Sequence, residues 1–529
     1  MGKLKNNIKR IAIIGGGWSG LYALKYSLEE GFEATIFEKK SQIGGVWTYQ
    51  EHECGGVWKS AHATSSKTFL HASDFPMPEE TSLFPHHSKI YQYLCDYVEH
   101  FSLGPHIKFN HEIQNIEQRG QTWRLSIFDH NKNRSLQQTF DAVLLCTGQT
   151  STPSTPTDPM YQNFEGKTMH SASYKYPKQE FRGKSVLVIG GGESGSDIAN
   201  ELTDVAGHVY LSVRSGLWFF TRHNGVFLPT DTRFSKRNRW LVSDYGNNIF
   251  VRLSEILTNV NYGVGGHGIE AWKPNYSVLG GIINKSVRVL EKIPLGLVTP
   301  KRAVVSVQSN TVMFEGDSEP TPIDVIIYAT GYKQELPFNV VKSSDELYKH
   351  LFYVENPTFA VLGRIRPIFG SIVGLAELQA RWVTAVLAGK ATLPNKNKMR
   401  ETIVADRLKQ KKNFPDQYEK RPHLVSHFSY ADFIMKELGA YPRLIRLFFT
   451  NFKKWKLLIL APWTPFEVFL NNPQKEPNAL ERIQQVYAER RRVKGPSLFK
   501  LLTSIVFVST IVVIMAMILS SYSLWLLLS

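Results

Sequence analysis

Cysteine is scarce: Cys54, Cys95 and Cys146 are the only three in 529 residues. That excludes a disulfide-stapled scaffold, and without a CxxC pair it argues against a cysteine zinc site. Short-period repeats and low-complexity tracts are absent. A secretory signal is not expected either, because Met1–Lys9 is polar and basic and the apolar run Ile11–Ile14 is too short for an h-region. Charged residues make up only 20% against 43% hydrophobic, which fits packed globular structure and not general disorder. The chain is too long for one ordinary core, so two or more domains are expected. Acids are the minority charge: 46 against 62 Lys and Arg, a formal net charge of +16. Such a surplus suits nucleic acid, an anionic membrane face or anionic cofactors.

One stretch lacks charge altogether. From Leu501 to Ser529 there is no Asp, Glu, Lys, Arg or His. About 20 apolar residues span a bilayer, so this run is sufficient. Arg490, Arg491, Arg492, Lys494 and Lys500 stand just before it, and the positive-inside rule keeps that flank cytosolic. The expectation is a tail-anchored protein with a transmembrane helix over 501–528; a buried core helix is the alternative. A membrane role absorbs much of the positive charge, so no nucleic-acid partner is expected.

What the sequence does contain is a long-range echo. Lys9–Gly17 reads KRIAIIGGG and Lys184–Gly192 reads KSVLVIGGG, about 175 residues later. Phe140–Gly148 (FDAVLLCTG) and Ile323–Gly331 (IDVIIYATG) echo each other too, each a buried strand followed by a glycine turn. The fold class expected is α/β, with two Rossmann-like dinucleotide-binding domains, the second inserted in the first. Residues 1–155 begin the first domain, 156–325 form the second with an irregular insertion over about 216–300, and 326–450 complete the first. A basic membrane-proximal segment, 451–500, leads to the anchor. The Pro/Ser/Thr stretch 151–159 is the natural crossing point.

Gly15, Gly16, Gly17, Trp18, Ser19 and Gly20 follow the strand Arg10–Ile14 and precede an apolar helix over Leu21–Leu28. In that setting Gly15 permits the tight turn, Gly17 lets a pyrophosphate approach, and Gly20 lets helix and strand pack closely. The helix N-terminus then faces the phosphates. The next strand, Ala34–Phe37, ends in Glu38, 18 residues after Gly20. An acid there accepts a ribose 2′-hydroxyl and repels a 2′-phosphate, so the site suits FAD or NAD.

The second unit swaps the sign of that residue. Gly190, Gly191, Gly192, Glu193, Ser194 and Gly195 follow Ser185–Ile189 and precede a helix over Ser196–Leu202, and the strand Val209–Val213 ends in Arg214, 19 residues after Gly195. A guanidinium matches a phosphate in charge and fork geometry, which argues for NADPH. Two sites of opposite selectivity imply a resident flavin and an NADPH that reduces it. Gly44, Gly45, Val46 and Trp47 lie where backbone would pass close to the flavin. His170, alone, reads as a core or surface histidine, and Glu377–Trp382 reads as an ordinary salt-bridged helix.

Taken together these residues resemble the flavin-containing monooxygenases, membrane-bound NADPH- and oxygen-dependent enzymes that oxygenate soft nucleophiles. Phe164, Gly166, His170, Tyr174 and Lys175 match that family's FxGxxxHxxxYK fingerprint over a resemblance covering nearly the whole chain. Asp74–Pro78, Ser88–Ile90, Tyr328–Tyr332 and Glu377–Trp382 are similar to further family motifs. The resemblance implies FAD contacts at Gly15–Gly20, Glu38, Val46, Trp47, Thr64 and Ser65. It implies NADP contacts at Ala63, Thr64, Ser194, Gly195, Ser196, Asp197 and Arg214. It also implies a C4a-hydroperoxyflavin attacked by a small nitrogen or sulfur nucleophile, with O2 as co-substrate, and residence on the cytosolic face of the endoplasmic reticulum. A homo-oligomer is compatible with it.

Two positions depart from the family pattern. Aligning on Lys59-Ser60 and Ser65–Lys67 puts Thr64 where the family has Asn, at the catalytic position. A hydroxyl cannot donate and accept over the span of an amide, so more NADPH is expected to be lost to hydrogen peroxide. Glu193 stands where the family commonly has Asn, an acid close to a pyrophosphate. An NADPH oxidase or a Baeyer–Villiger oxygenase is the nearest rival reading. A flavin-binding membrane scaffold that no longer turns over is the rival from another class.

Overall fold

The computed structural model describes residues 8–224, 228–233, 235, 269–274, 276, 283–343, 346–367, 370–414, 421, 423–471 and 476–492. The strands that matter are β1 (Arg10–Ile14), β2 (Glu33–Phe37), β3 (Ile107–Lys108), β4 (Ala142–Leu145), β5 (Lys167–His170) and β6 (Ser185–Ile189). They continue as β7 (His208–Ser212), β8 (Val298–Lys301), β9 (Val325–Tyr328), β10 (Leu347–Tyr348), β11 (Phe352–Tyr353) and β12 (Phe359–Val361). One sheet has the order β10-β11-β12-β4-β1-β2-β3, and a second has the order β8-β7-β6-β9-β5. The first sheet draws its strands from both sides of the segment that builds the second. The second sheet is parallel throughout.

Strands β4 and β9 are buried at every position, as parallel strands covered on both faces must be, which is why they read as continuous apolar runs. They are shorter than the echoing sequences. Phe140 ends the antiparallel strand Arg134–Phe140 of a separate three-stranded meander, and the residues after Leu145 and Tyr328 turn away into the glycine loops.

Helix α1 (Trp18–Glu29) follows β1, α2 is His87–His100, α3 (Glu193–Leu202) follows β6, and α4 is Ile372–Leu387. Both dinucleotide helices begin three residues earlier than their apolar pattern. Gly17 and Gly192 are the N-caps, so the second half of each glycine motif is already the first helical turn. Helix α4 packs along α1, with Trp382 wholly buried against Phe352 and Phe433.

The stretch after residue 395 is helical, over Lys396–Asn413, His427–Glu437, Leu444–Thr450, Phe452–Leu460 and Ala479–Arg492. Among the described residues no helix is long and apolar enough to cross a membrane. The expected span 501–528 lies outside the described residues, as does the 236–268 portion of the expected insertion.

Candidate functional site

The two glycine turns have the same construction. Gly15 and Gly190 adopt φ of +105° and +111°, a region that disfavours any Cβ. Gly15 N–H donates to the carbonyl of Phe37 and Gly190 N–H to that of Ser212, both at 2.9 Å. Each thereby ties its turn to the neighbouring strand. A Cβ on Gly15 would stand 2.7 Å from the carbonyl oxygen of Cys146, and one on Gly190 would overlap that of Ala329. The echo between CTG and ATG in the sequence is therefore the close approach of β4 and β9 to the two turns. A Cβ on Gly20 would overlap the carbonyl oxygen of Gly15, and one on Gly195 that of Gly190. Neither N-cap uses a side chain to bond the first-turn N–H groups, which stay available to a phosphate.

At the first turn Glu38 is buried at the end of β2. Its Oε2 accepts from Gly16 N–H at 2.6 Å and its Oε1 from Lys40 N–H at 2.9 Å. A carboxylate has about four acceptor positions, so two bonds leave capacity for ribose hydroxyls. Gly44 N–H donates to the carbonyl of Gly16 at 3.0 Å, which draws the diglycine against the turn. Gly45 lies over Gly17, Val46 is 42% exposed, and Trp47 packs toward the core. A Cβ on Gly363 would overlap the Ser19 hydroxyl. Gln379 of α4 holds that contact: its Oε1 accepts from Gly363 N–H at 2.8 Å and its Nε2 donates to the Tyr430 hydroxyl at 2.8 Å.

At the second turn Arg214 is exposed just beyond β7. A Cβ on Gly192 would meet nothing within 4 Å, so the turn is open on its ligand side. Glu193, half-buried, opens α3, and Ser194 is half-buried beside it. Ser196 is wholly buried, its hydroxyl near the carbonyl of Gly191 at 3.4 Å. Both are held by Asn284, whose amide donates to the Gly191 carbonyl and to Ser196 Oγ, each at 2.8 Å. Asn284 Oδ1 accepts from Ser286 N–H at 2.7 Å. Asp197 pairs with Arg222 at 3.6 Å. Burial raises the Asp197 carboxyl above its ordinary range, and Arg222 opposes that shift.

The segment 59–67 joins the two halves. Arg222 Nη1 donates to the carbonyl of Ala63 and Lys285 Nζ to that of Thr64, both at 3.4 Å. Asp231 Oδ2 accepts from Ser66 N–H at 2.6 Å. Burial raises the Asp231 carboxyl, against the pull of Lys285. Ser65 Oγ reaches the carbonyl of Gly370 at 3.4 Å, beside the start of α4. Thr64 is half-buried, and its hydroxyl bonds no described residue.

Of the fingerprint residues, Lys175 bonds across the same boundary directly and Tyr174 through Glu201, whereas His170 bonds within the second half. His170 Nε2 donates to the carbonyl of Gly331 and its Nδ1 accepts from Ala172 N–H, both at 3.0 Å. Burial lowers its pKa, so it is a neutral structural imidazole. Tyr174 donates to Glu201 of α3 at 2.9 Å, and Glu201 also accepts from Ser60. Lys175 is buried, and its ammonium donates to the carbonyl of Gly55 at 2.5 Å. Glu377 proves to be more than a surface ion pair. It is buried and accepts from the Tyr26 hydroxyl at 2.6 Å, from Ser73 N–H at 2.9 Å and from Arg381 at 3.3 Å. Asn284, Asp231, Arg222 and Lys285 carry no motif in the sequence, and only the structure brings them to the site; Gln379 belongs to the Glu377–Trp382 motif, but its bond to Gly363 is seen only in the structure.

The residues present fit two dinucleotides. Each turn offers an uncapped helix start and glycines packed too closely for side chains. The first has a buried acid and the second an exposed arginine. The Thr147 hydroxyl, one residue beyond the Gly15–Cys146 contact, is buried with no partner among the described residues, and it offers a further polar group at the first turn.

The model of one protein family, described as flavin-binding monooxygenase-like, matches residues 8–526. Flavin-containing monooxygenase 5 of Rattus norvegicus is 34% identical over 497 residues, covering 90% of this chain and 91% of its own. Dimethylaniline monooxygenase (N-oxide-forming) 2 of Oryctolagus cuniculus is 33% identical over 524 residues, covering 92% and 93%. Among solved structures, S-allyl-L-cysteine S-oxygenase from Allium sativum is similar in fold. Its TM-score is 0.61 at 22% identity, over 92% of this chain and 100% of its own. Cyclohexanone monooxygenase from Rhodococcus sp. Phi1 has a TM-score of 0.62 at 16% identity, over 83% and 99%.

Proposed function

The chain belongs to the flavin-binding monooxygenase-like family, and from that premise we propose how its residues divide the work. The enzyme is an NADPH- and O2-dependent flavin monooxygenase that oxygenates nucleophilic nitrogen or sulfur centres of small molecules. Its cofactors are FAD and NADPH. One oxygen atom enters the product, the other leaves as water, and NADPH supplies the two electrons. The observation that carries the assignment of the two cofactors is the pair of matching glycine turns with opposite charge at the following strand end, Glu38 at one and Arg214 at the other.

We assign FAD to the first turn and NADPH to the second. Bound FAD, once reduced, supplies the oxygen-activating chemistry. The chain supplies positions and excludes water. Glu38 receives ribose hydroxyls, and the first turn of α1, with Ser19 set by Gly363 and Gln379, faces the pyrophosphate. Arg214 selects the 2′-phosphate, and Asn284 keeps the Gly191 turn in shape for the second pyrophosphate. Arg222, Lys285 and Asp231 hold Ala63, Thr64 and Ser66 in place between the two cofactors. The domain division follows the sheets, with a first domain interrupted by a second that runs from about 156 and extends past the expected limit of 325 to include β9, which ends at Tyr328. The uncharged run Leu501–Ser529 anchors the enzyme in the endoplasmic reticulum membrane with its body in the cytosol, a reading supported by the composition of that run and its basic flank.

The test is stoichiometry. Holoenzyme with a tertiary amine or a thioether is expected to form N-oxide or S-oxide in step with NADPH and O2 consumed. Peroxide equal to the NADPH consumed, with no oxygenated product, would sink the monooxygenase reading in favour of an oxidase.

A further inference from the structure

Two cations reach the segment 59–67, and they are not used alike. Arg222 is fully engaged. Its Nη1 donates to the carbonyl of Ala63 at 3.4 Å and its Nε to that of Lys285 at 3.3 Å. Its Nη2 donates to Ser286 Oγ at 3.4 Å and pairs with Asp197 at 3.6 Å. Lys285 is half-buried, and its one hydrogen bond to a described residue is the long contact with the Thr64 carbonyl, 3.4 Å. An ammonium has three donors, so two are left over. The Thr64 hydroxyl is unbonded as well. A part-bonded ammonium and a free hydroxyl therefore meet at one residue of the segment that joins the two halves.

The charges around Lys285 attract it without occupying it. No described carboxylate lies within ion-pair distance of its Nζ, although its charge pulls against the burial shift of the Asp231 carboxyl. Asp231 is 5% exposed, its Oδ2 is taken by Ser66 N–H at 2.6 Å, and its Oδ1 is buried without a hydrogen bond. On α3 the acids are Asp197, already paired with Arg222, and Glu193. Arg288 is exposed on the segment that carries Lys285. His62 is a neutral imidazole, since burial lowers its pKa and His86, Arg288 and Arg222 add to that. Its Nδ1 proton is committed to the Ser60 carbonyl at 2.8 Å.

Oxygen transfer needs a proton at this place. The oxygen atom that enters the product bonds to a lone pair of the nucleophile. The other oxygen keeps the electron pair of the broken O–O bond and leaves as water. Of the two hydrogens of that water, the hydride of NADPH accounts for one, and the other is a proton drawn from solution. A positioned acid speeds such a step and a cation steadies the charge that develops. Arg222 cannot give up a proton, His62 has committed its own, and Asp231 is sealed against Ser66. Lys285 is the group left with protons to give.

We propose that Lys285 is the general acid of oxygen transfer, delivering a proton from Nζ to the oxygen that leaves as water, with Asp231 as the residue that positions it. This rests on the reading above that the segment 59–67 lies between the two cofactors. The amine left behind regains its proton from solvent, so the residue ends each turnover unchanged.

The test compares Lys285→Met and Lys285→Arg in the full-length FAD-loaded protein, with a thioether as substrate because its sulfur does not titrate. Lys285→Met should lose about 100-fold in S-oxide formation, with more peroxide per NADPH. Lys285→Arg keeps the charge but not the acid, so it should be impaired too. The wild-type rate should fall at alkaline pH as the ammonium loses its proton, and the residual rate of Lys285→Arg should not follow that limb. Asp231→Asn should move the limb to lower pH, because a nearby carboxylate favours the charged amine; an unmoved limb would strike Asp231 from the assignment. NADP⁺ affinity by calorimetry and FAD reduction by NADPH without O2 should be unchanged in both Lys285 variants. Wild-type S-oxide formation by Lys285→Arg would overturn the proposal, and so would a loss of rate matched by a loss of NADP⁺ affinity. Lys285→Gln gives the same reading if Lys285→Met fails to hold FAD. A wild type that makes only peroxide would instead sink the monooxygenase reading, whereas a coupled wild type with unimpaired variants would sink the role of Lys285 alone.

Discussion

If Asn284 and Gln379 each shape one glycine turn, removing them should separate the two cofactors. Asn284 makes three hydrogen bonds, to the Gly191 carbonyl, Ser196 Oγ and Ser286 N–H, and is 2% exposed. Asn284→Leu keeps the volume and removes all three. At about 1 kcal/mol per bond the loss is about 3 kcal/mol. If it is all expressed as loosening of the turn before NADPH binds, affinity falls by about 150-fold at most, since about 1.4 kcal/mol is tenfold. FAD content should hold, because Asn284 touches nothing at the first turn. Gln379→Leu removes two bonds, to Gly363 N–H and the Tyr430 hydroxyl. That loss of about 2 kcal/mol should weaken FAD retention by up to about 30-fold and leave the NADPH turn intact. The assay is NADP⁺ titration by calorimetry beside FAD content after gel filtration. An Asn284→Leu protein whose NADP⁺ affinity is unchanged would refute the reasoning. So would two variants that lose FAD alike.

Three further outcomes follow from the same geometry. Arg214→Gln should raise the KM for NADPH without raising that for NADH. Loss of a charge-assisted contact worth about 1.5–3 kcal/mol predicts a fall of about 10- to 150-fold in selectivity, and an unchanged ratio would remove Arg214 from the site. Thr64→Asn restores an amide where the hydroxyl bonds no described residue, and peroxide formed per NADPH should fall. An unchanged peroxide yield would count against a coupling role for Thr64. Acid should destabilise the fold. Burial lowers His71 to about 4, His423 to about 3 and His427 to about 3. The unfolded chain therefore takes up protons first as pH falls through about 6.5, and stability drops until the folded values are reached. Each contributes about 1.3 kcal/mol of loss between about pH 7.5 and 5.5, together about 4 kcal/mol. Unfolding midpoints at the two pH values check this, and His427→Phe should remove about a third of the difference.

What could be read from the sequence was what local chemistry determines. A strand, a glycine turn and a helix lie within about 20 residues, and the first and last glycine of each motif stand where a Cβ would overlap a carbonyl. Both units were therefore visible, and so was the exchange of Glu38 for Arg214. The helix starts were read three residues late because apolar periodicity marks the buried stripe, whereas the first turn belongs to the glycines that cap it. The residues that hold the second turn and the segment 59–67 left no trace. Asn284 reaches Gly191 across 93 positions and Asp231 reaches Ser66 across 165. A lone buried Asn or Asp has no period and no fixed spacing to its partner.

The fingerprint segment makes the same point from the other direction, because it was visible as a motif while its purpose was not. His170 bonds the turn after β9, Tyr174 bonds Glu201 on α3, and Lys175 bonds the backbone at Gly55. Glu201 also accepts from Ser60. Two of these three side chains, Tyr174 through Glu201 and Lys175 directly, thus tie the sheet that carries the second turn to segments that line the first. Burying the Lys175 ammonium on one carbonyl is costly by itself, and burial lowers its pKa. Such a group contributes little to stability and ties one arrangement of the two halves through its bond to Gly55. Electron transfer between two bound cofactors needs that fixed arrangement. The physical reason for the fingerprint therefore lies in the contact between the halves, where single-residue chemistry such as a catalytic histidine at position 170 has no part.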